Sequence, residues 1–334
     1  MSNRRKLANR LAALLKKYDR EIERTFLQAV QDKAASINLA ELTNAIEARD
    51  LNRALRIAGL TRAELYPFDA EINGAYVAGG QTIPEAAPAF ALKFGFDGRA
   101  SHAAEWARTH VGGLVTDIAD EQVELLRETI AKQLEAGEAP RSVAVRIAGR
   151  TTGGKRQGGF IGLSRSQIGY LANARQELEE LNGEYFTRKL RDKRFDGIVR
   201  KAIATGKPLS VADVERIAGR YSDRMLKHRA DTIARTESIT ALRAGRREGM
   251  LQGIEAGAIR ADRVKRIWDS SGDNRVRADH RAMDGREVDG MDTPYTLPDG
   301  SRMLFPGDAS LGAPASQTVA CRCYEVLEID WLTP

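Results

Sequence analysis

Residues 264–331 constrain the fold most, because they hold the chain's densest set of turn residues and both of its cysteines. Three patterned runs, VKRIWDSSGDNRVRADHRAMDG, YTLPDGSRMLFPGD and TVACRCYEVLEIDWL, are joined there by Gly, Pro and Asp clusters. Val319, Cys321, Cys323, Leu327, Ile329 and Trp331 share one parity of a period-2 repeat, with Glu325 the exception. That alternation predicts a half-buried strand with both cysteines facing the core. Pro298-Asp299-Gly300 separates YTL from SRMLF, and Asp-Gly between two strand-like runs predicts a hairpin. Ile267 and Trp268 close a shorter strand ahead of the Ser271-Gly272-Asp273 turn, so a small antiparallel sheet is expected.

Everything upstream has helical spacing. The chain of 334 residues is 42% hydrophobic but only 6% aromatic, with 29% charged residues, and its recurring Ala, Leu, Arg and Glu favour helices over a large sheet. Leu7, Leu11, Leu14, Leu15, Ile22, Phe26 and Val30 predict one long amphipathic helix over 4–34. Asn38, with Glu41 three residues on, caps a second helix whose apolar side runs through Leu39, Leu42, Ile46, Leu55 and Ile57 to Gly59. Thr61 with Glu64 repeats the device. Gly79-Gly80, Pro84 and Pro88 predict an irregular connection over 81–98, docked by Phe90, Phe94 and Phe96. A helix over 117–136 stops at Gly137, and Pro140 starts a short one. The glycine-rich stretch 151–162 reads as a flexible hinge or a loop lying on a partner. Gly149, Gly154 and Lys155 fit a phosphate-binding loop, but Arg156 stands where its Ser or Thr belongs, which argues against one. Ser164 with Gln167, and Ser210 with Asp213, cap later helices. The expected fold class is mainly α: a multi-helix N-terminal region with a small C-terminal α+β module containing an antiparallel sheet. The borders drawn are an N-terminal helical region over 1–150, a hinge and basic connector over 151–206, and the C-terminal module over 207–334.

Lys and Arg number 52 against 46 Asp and Glu, a net charge of +6 that is too mild to identify a nucleic-acid binder by itself. Its local distribution matters more. Arg188, Lys189, Arg191, Lys193 and Arg194 face only Asp192 and Asp196, and Arg246 and Arg247 close a helix rich in arginine. These residues are the candidates for contact with DNA or a protein partner. The competing reading, favoured because no aromatic interleaving accompanies them, makes them solvated helix faces with partners such as Glu177 and Glu180. Two cysteines two residues apart exclude a secreted disulfide scaffold and fit a reducing compartment. The N-terminal LAALL is too short for a signal-peptide core, and no run approaches a membrane span.

Arg235, Thr236, Glu237, Trp268, Asp273, Val276, Arg277, His280, Gly285, Phe305-Pro306-Gly307-Asp308 and Cys321-Arg322-Cys323 follow one another at intervals that resemble the phage head-morphogenesis, or minor head protein, family, also called phage Mu F-like. The similarity runs from about Tyr221 onward. It implies a virion protein, inside the head or at the portal vertex, assembled in the host cytoplasm in few copies and needed for head assembly and DNA delivery. The partners it implies are the portal protein and the capsid interior, with double-stranded DNA as a further one. No membrane, small-molecule substrate or catalytic residue is expected.

His280, Cys321 and Cys323 carry ligand types that zinc prefers, and Asp273, Asp279 or Asp284 could supply a fourth ligand. Against zinc, side chains at i and i+2 of a regular strand stand too far apart to share one ion, so no cofactor is expected and zinc is the alternative. Asp273, Arg275, Arg277, Asp279 and His280 could also be read as the acid/base cluster of a metal-dependent nuclease. The preferred roles are structural: Asp273 closes its turn, Arg277 pairs with a carboxylate, and His280 hydrogen-bonds across the sheet. Glu237 is expected to bind Arg235 or a neighbouring loop.

Overall fold

The computed structural model describes residues 3–332, and their side chains from Lys6 onward; residues 1, 2, 333 and 334, at the outer ends of the regions drawn from sequence, lie outside the described residues. The N-terminal periodicity gives α1 (Asn3–Ser36), which buries Leu14, Ile22, Phe26 and Val30. Asn38 caps α2 (Leu39–Glu47) as expected, its side chain accepting from the N–H groups of Ala40 and Glu41. The single helix expected as far as Gly59 is two. Arg49 turns into the left-handed region with φ 54°, and Asp50 caps α3 (Leu51–Ala58) by accepting from the Arg53 N–H. Thr61 and Glu64 bond reciprocally, but they close a turn and leave the next helix, α4 (Tyr66–Ala86), to begin after them.

α4 runs through Gly79, Gly80 and Pro84, where a break was expected. Pro84 stands in its last turn, and the irregular stretch begins only after Ala86. Of the aromatics expected to dock that stretch, Phe94 meets Trp331 and Phe96 meets Tyr76, while Phe90 is exposed. α5 (Ser101–Trp106) passes through a π turn into α6 (Gly112–Glu135), and α7 (Pro140–Ala148) starts on its proline. The supposed hinge is ordered by its own sequence: β1 (Arg150–Thr152) and β2 (Lys155–Gln157) pair through Gly153 and Gly154, both at positive φ. Phe160, Ile161 and Leu163 beyond it are buried. Ser164 and Gln167 form the expected capping box of α8 (Arg165–Glu179). α9 (Asp196–Thr205) follows, then the 45-residue α10 (Val211–Glu255), with Ser210 accepting from the Asp213 N–H.

In the C-terminal region β3 (Lys265–Asp269), α11 (Ala278–Ala282), β4 (Glu287–Asp289), β5 (Tyr295–Thr296), β6 (Arg302–Met303), α12 (Ala315–Thr318) and β7 (Tyr324–Glu328) make the expected small sheets. The strand order is β4-β3-β7, all antiparallel, and β5 pairs with β6 as the Pro-Asp-Gly hairpin. The fold is mainly α with a C-terminal α+β module, as the sequence predicted. One strand differs. β7 starts at Tyr324, opposite Asp269 at the end of β3, so the cysteines precede it in a loop where Ala320 takes φ 52°. The loop has no ladder partner because its backbone bonds elsewhere: the Ala320 N–H donates to Thr236 Oγ1 and the Cys321 N–H to the Thr318 carbonyl.

The chain packs into two compact units interleaved along the sequence, Thr25–Pro67 with Gly113–Ala230, and Met1–Arg24 with Phe68–Gly112 and Asp231–Pro334. The borders at 150 and 206 follow composition instead. In the first unit α2 lies on α7, and Leu178, Tyr185, Val199, Val214 and Ile217 form a core. In the second, α4 meets α10 through glycine. A Cβ at Gly79 would overlap the Leu242 carbonyl, one at Gly245 the Tyr76 carbonyl, and one at Gly249 would lie 2.6 Å from the Gly80 oxygen. The two backbones are therefore in direct contact.

Alternation along β3 puts Arg266 and Trp268 on one face, and both are fully buried. The Arg266 guanidinium donates to the carbonyls of Gly290, Thr293 and Leu304 and lies 3.2 Å from the Glu325 carboxylate. Glu325, the exception in the parity of the last run, thus faces its charge partner. Burial pushes its carboxyl upward, and Arg266 and Arg246 pull it back.

Gly245→Ala is expected to lower the free energy of unfolding in denaturant titration by about 2 kcal/mol, because neither backbone can yield. Gly169→Ala, on α8 with open space around it, is expected to raise it by up to about 1 kcal/mol. Arg266→Ala strands a buried carboxylate and is expected to cost about 3–5 kcal/mol. Adding Glu325→Leu should restore about 1 kcal/mol or more of that loss in the same titration.

Candidate functional site: a buried histidine and two cysteines

The turn after β3 sets the site's entrance. Asp273 closes it as expected, its Oδ1 accepting from the Arg275 N–H at 2.9 Å, and the same oxygen takes Arg322 at 2.6 Å. Hydrogen bonding from the Arg322 guanidinium holds the Asp273 carboxyl down at about 2. Arg277 stands at the start of α11 and donates to the Val319 carbonyl, where a carboxylate partner was expected. Its fork is used on backbone because the loop opposite presents a carbonyl to it. Gly285, at φ 73°, donates its N–H to the Trp268 carbonyl and returns the chain to the sheet. The short α11 then delivers His280 into the core beneath Trp268, edge-on with ring centroids 5.2 Å apart.

From the other side Arg243 of α10 gathers the cysteine loop. Its guanidinium donates to the carbonyls of Pro306, Cys321 and Cys323. Gly307 is required beside it: φ is 85°, and a Cβ would lie 3.0 Å from the guanidinium and 3.3 Å from the Cys321 Cβ. Asp308 braces the same turn by accepting from the N–H groups of Leu304 and Ser310. Thr236, also on α10, accepts the Ala320 N–H at 3.0 Å. The two sulfurs consequently converge on one ring nitrogen, His280 Nδ1, at 3.5 Å for Cys321 and 3.4 Å for Cys323.

These three residues are buried, at 1%, 2% and 2% exposure, and their ligand atoms all lie within 4.8 Å of one another. The expectation that His280 would bond across the sheet is replaced by this contact with both thiols. The objection drawn from strand spacing fails too, because the cysteines lie outside β7. The Cys323 thiol, then burial and His280, shape the Cys321 thiol, whose net displacement is downward; hydrogen bonding to Cys321 and burial push Cys323 upward, since one negative charge is shared by the pair. None of the expected fourth ligands joins the group. Asp273 holds Arg322, Asp279 accepts from Gln317 at 2.7 Å, and Asp284 accepts from the Ser270 N–H at 2.8 Å.

The remaining motif residues are placed differently. Glu237 is 2.8 Å from His110 Nε2 and does not meet Arg235, which is exposed. His110 stacks on Trp106 and Trp106 on Tyr76. Nothing in the local spacing of 76, 106 and 110 signalled this column. Arg243 and Arg266 were also missed as anchors, although the period-2 pattern of β3 places Arg266 on the face of Trp268.

The basic candidates divide. Arg188 pairs with Glu177, as one reading expected, Arg191 with Asp196, and Arg194 with Asp192. Arg191 and Arg200 also lie over the Phe186 ring, an aromatic contact the sequence reading did not assign. Lys189 and Lys193 are exposed, as is Arg194 despite its ion pair. Arg246 is buried against Thr82, and Arg247 is bound to the Met291 carbonyl and Asp292, so neither forms an open basic surface.

Among the described residues no helix is long and apolar enough to cross a membrane. No curated protein and no solved structure matches the chain. Residues 195–326 match the family described as phage Mu protein F like protein. The match begins upstream of the Tyr221 border drawn from sequence, takes in α9 and α10, and ends within β7. This segment, which contains Arg243, His280 and the cysteine loop and makes up less than half of the chain, is similar to the phage Mu F-like family of head-morphogenesis proteins.

Proposed function

We propose that this protein is a minor capsid protein that associates with the portal on the inner side of the procapsid and touches packaged double-stranded DNA. The observation that carries the reading is the family match over 195–326, whose motif residues are spent on holding loops together. Arg243, Arg277 and Thr236 bind backbone, and His280 is buried. Such a module suits docking, in which a rigid surface is needed and no substrate has to reach a reactive group. The DNA part of the proposal draws on Lys189, Lys193 and Arg194, exposed between Tyr185 and α9. Exposed cations act on phosphates by releasing counterions and read no sequence.

A metal-dependent nuclease is the second reading, favoured by the histidine and cysteines that share one point. It has less support, because their burial leaves a scissile phosphate no route to them. Plasmid nicking with and without chelator distinguishes the two, and chelator-sensitive cleavage lost in His280→Ala would favour the nuclease.

Co-expression with the portal protein of the same phage is expected to give a complex that co-elutes in size exclusion, and mass spectrometry should find the chain in purified virions. Full, normal virions without it would overturn the assignment. Lys189→Gln combined with Lys193→Gln is expected to lower the log–log salt slope of duplex DNA binding by about 2. An unchanged slope would remove these lysines from any DNA interface.

A further inference from the structure

We propose that His280, Cys321 and Cys323 bind one zinc ion, which fastens α11 to the loop ahead of β7. One imidazole nitrogen faces two thiols, more than a single hydrogen bond can serve. Two sulfurs lie 3.5 and 3.4 Å from the same imidazole nitrogen. That nitrogen has one lone pair or one N–H, so it satisfies only one of the two thiols and leaves the other with no partner but its neighbouring thiol. An ion at their common centre satisfies both. With Zn–S of about 2.3 Å and Zn–N of about 2.0 Å at tetrahedral angles, sulfur and nitrogen stand about 3.5 Å apart, close to the separations found.

Charge and chemistry point the same way. The cluster sits in an apolar pocket with Trp268, Met283, Tyr295 and Met303. A lone thiolate there carries a heavy desolvation cost, whereas two thiolates and neutral imidazole around a divalent ion sum to zero charge. Thiolate and imidazole select zinc over magnesium or calcium, which prefer oxygen. No carboxylate of the described residues belongs to the group, so these three side chains supply three of the four positions of a tetrahedron. Each thiol that binds releases its proton to solvent, and nothing is oxidised or reduced.

The ligands are also held in place by bonds that do not involve the ion. Arg243 fixes both cysteine carbonyls, Thr236 fixes the Ala320 N–H, and Arg277 fixes the Val319 carbonyl. His280 and Cys321 are 41 residues apart in sequence, so one ion closes a long loop in a module with little sheet to close it. The role is a structural one and does not depend on the portal or on DNA.

The full chain, purified in reducing buffer without chelator or metal-affinity resin, is expected to carry about one zinc ion by elemental mass spectrometry. Cobalt exchanged into it should show thiolate-to-metal charge-transfer absorption, and the zinc-loaded cysteines should resist alkylation until chelator is added. His280→Gln and Cys323→Ser are each expected to lower zinc content roughly ten-fold or more, with circular dichroism reporting whether the helices persist. Because a variant could lose zinc by unfolding, the wild-type chain decides. Zinc below about a tenth of an ion per chain together with no cobalt charge-transfer band overturns the proposal. Cysteines alkylated equally fast with and without chelator overturn it as well.

Discussion

Buried guanidinium groups hold the C-terminal module together. Its strands are short, with β3 and β7 pairing over five residues and β5 and β6 over two, so most of its backbone must be satisfied outside a ladder. Inward-facing carbonyls in loops would each cost on the order of 1–3 kcal/mol if left unpaired. Arg243 and Arg266 meet that demand, each donating to three carbonyls from a single side chain. A lysine could not do the same, because its ammonium lacks the planar fork that reaches several acceptors at fixed angles. The charge of Arg266 is balanced by Glu325, while Arg243 lies beside the two thiols. Much of the module's geometry, including the meeting of histidine and cysteines, follows from these two side chains.

Close helix packing gives the arginines something rigid to work from. α10 approaches α4 until backbone meets backbone, which glycine at 79, 245 and 249 alone permits. Arg243 and Arg246 flank Gly245 and leave the helix on neighbouring headings, one into the cysteine loop and the other to Thr82. Thr236 lies two turns back along the same helix and reaches the Ala320 N–H. Thr236 and Arg243, on one helix, thus grip the loop that carries both cysteines.

Much of this was legible in the sequence, and the failures have physical reasons. Caps at Asn38 and Ser164, the Pro-Asp-Gly hairpin and the strand through Trp268 depend on neighbours within four residues, and they were read correctly. Gly79-Gly80 was read as a break because glycine is costly in a helix, yet tertiary contact with α10 outweighs that local preference. Gly153-Gly154 was read as flexible, although the same residues suit the turn of a hairpin. The cysteines were placed on a strand because their parity continues that of Leu327 and Ile329, and parity cannot reveal that the hydrogen bonds of the loop go to Thr236 and Arg243, some 80 residues away. That misplacement also hid the candidate metal site, since its rejection rested on strand spacing. The pairing of Glu237 with His110, 127 residues off, had no local signal at all.

The interleaving of the two units sets an order on biosynthesis. The unit built from Thr25–Pro67 and Gly113–Ala230 has all of its residues once 230 is translated. The other has segments before that unit in the sequence but lacks Arg243, His280 and the cysteine loop until residues beyond 230 have followed. Translation proceeds at roughly 5–20 residues per second, so the early segments wait several seconds with apolar faces unpaired. Of the two units, the one whose segments come earlier in the sequence is the later to be completed.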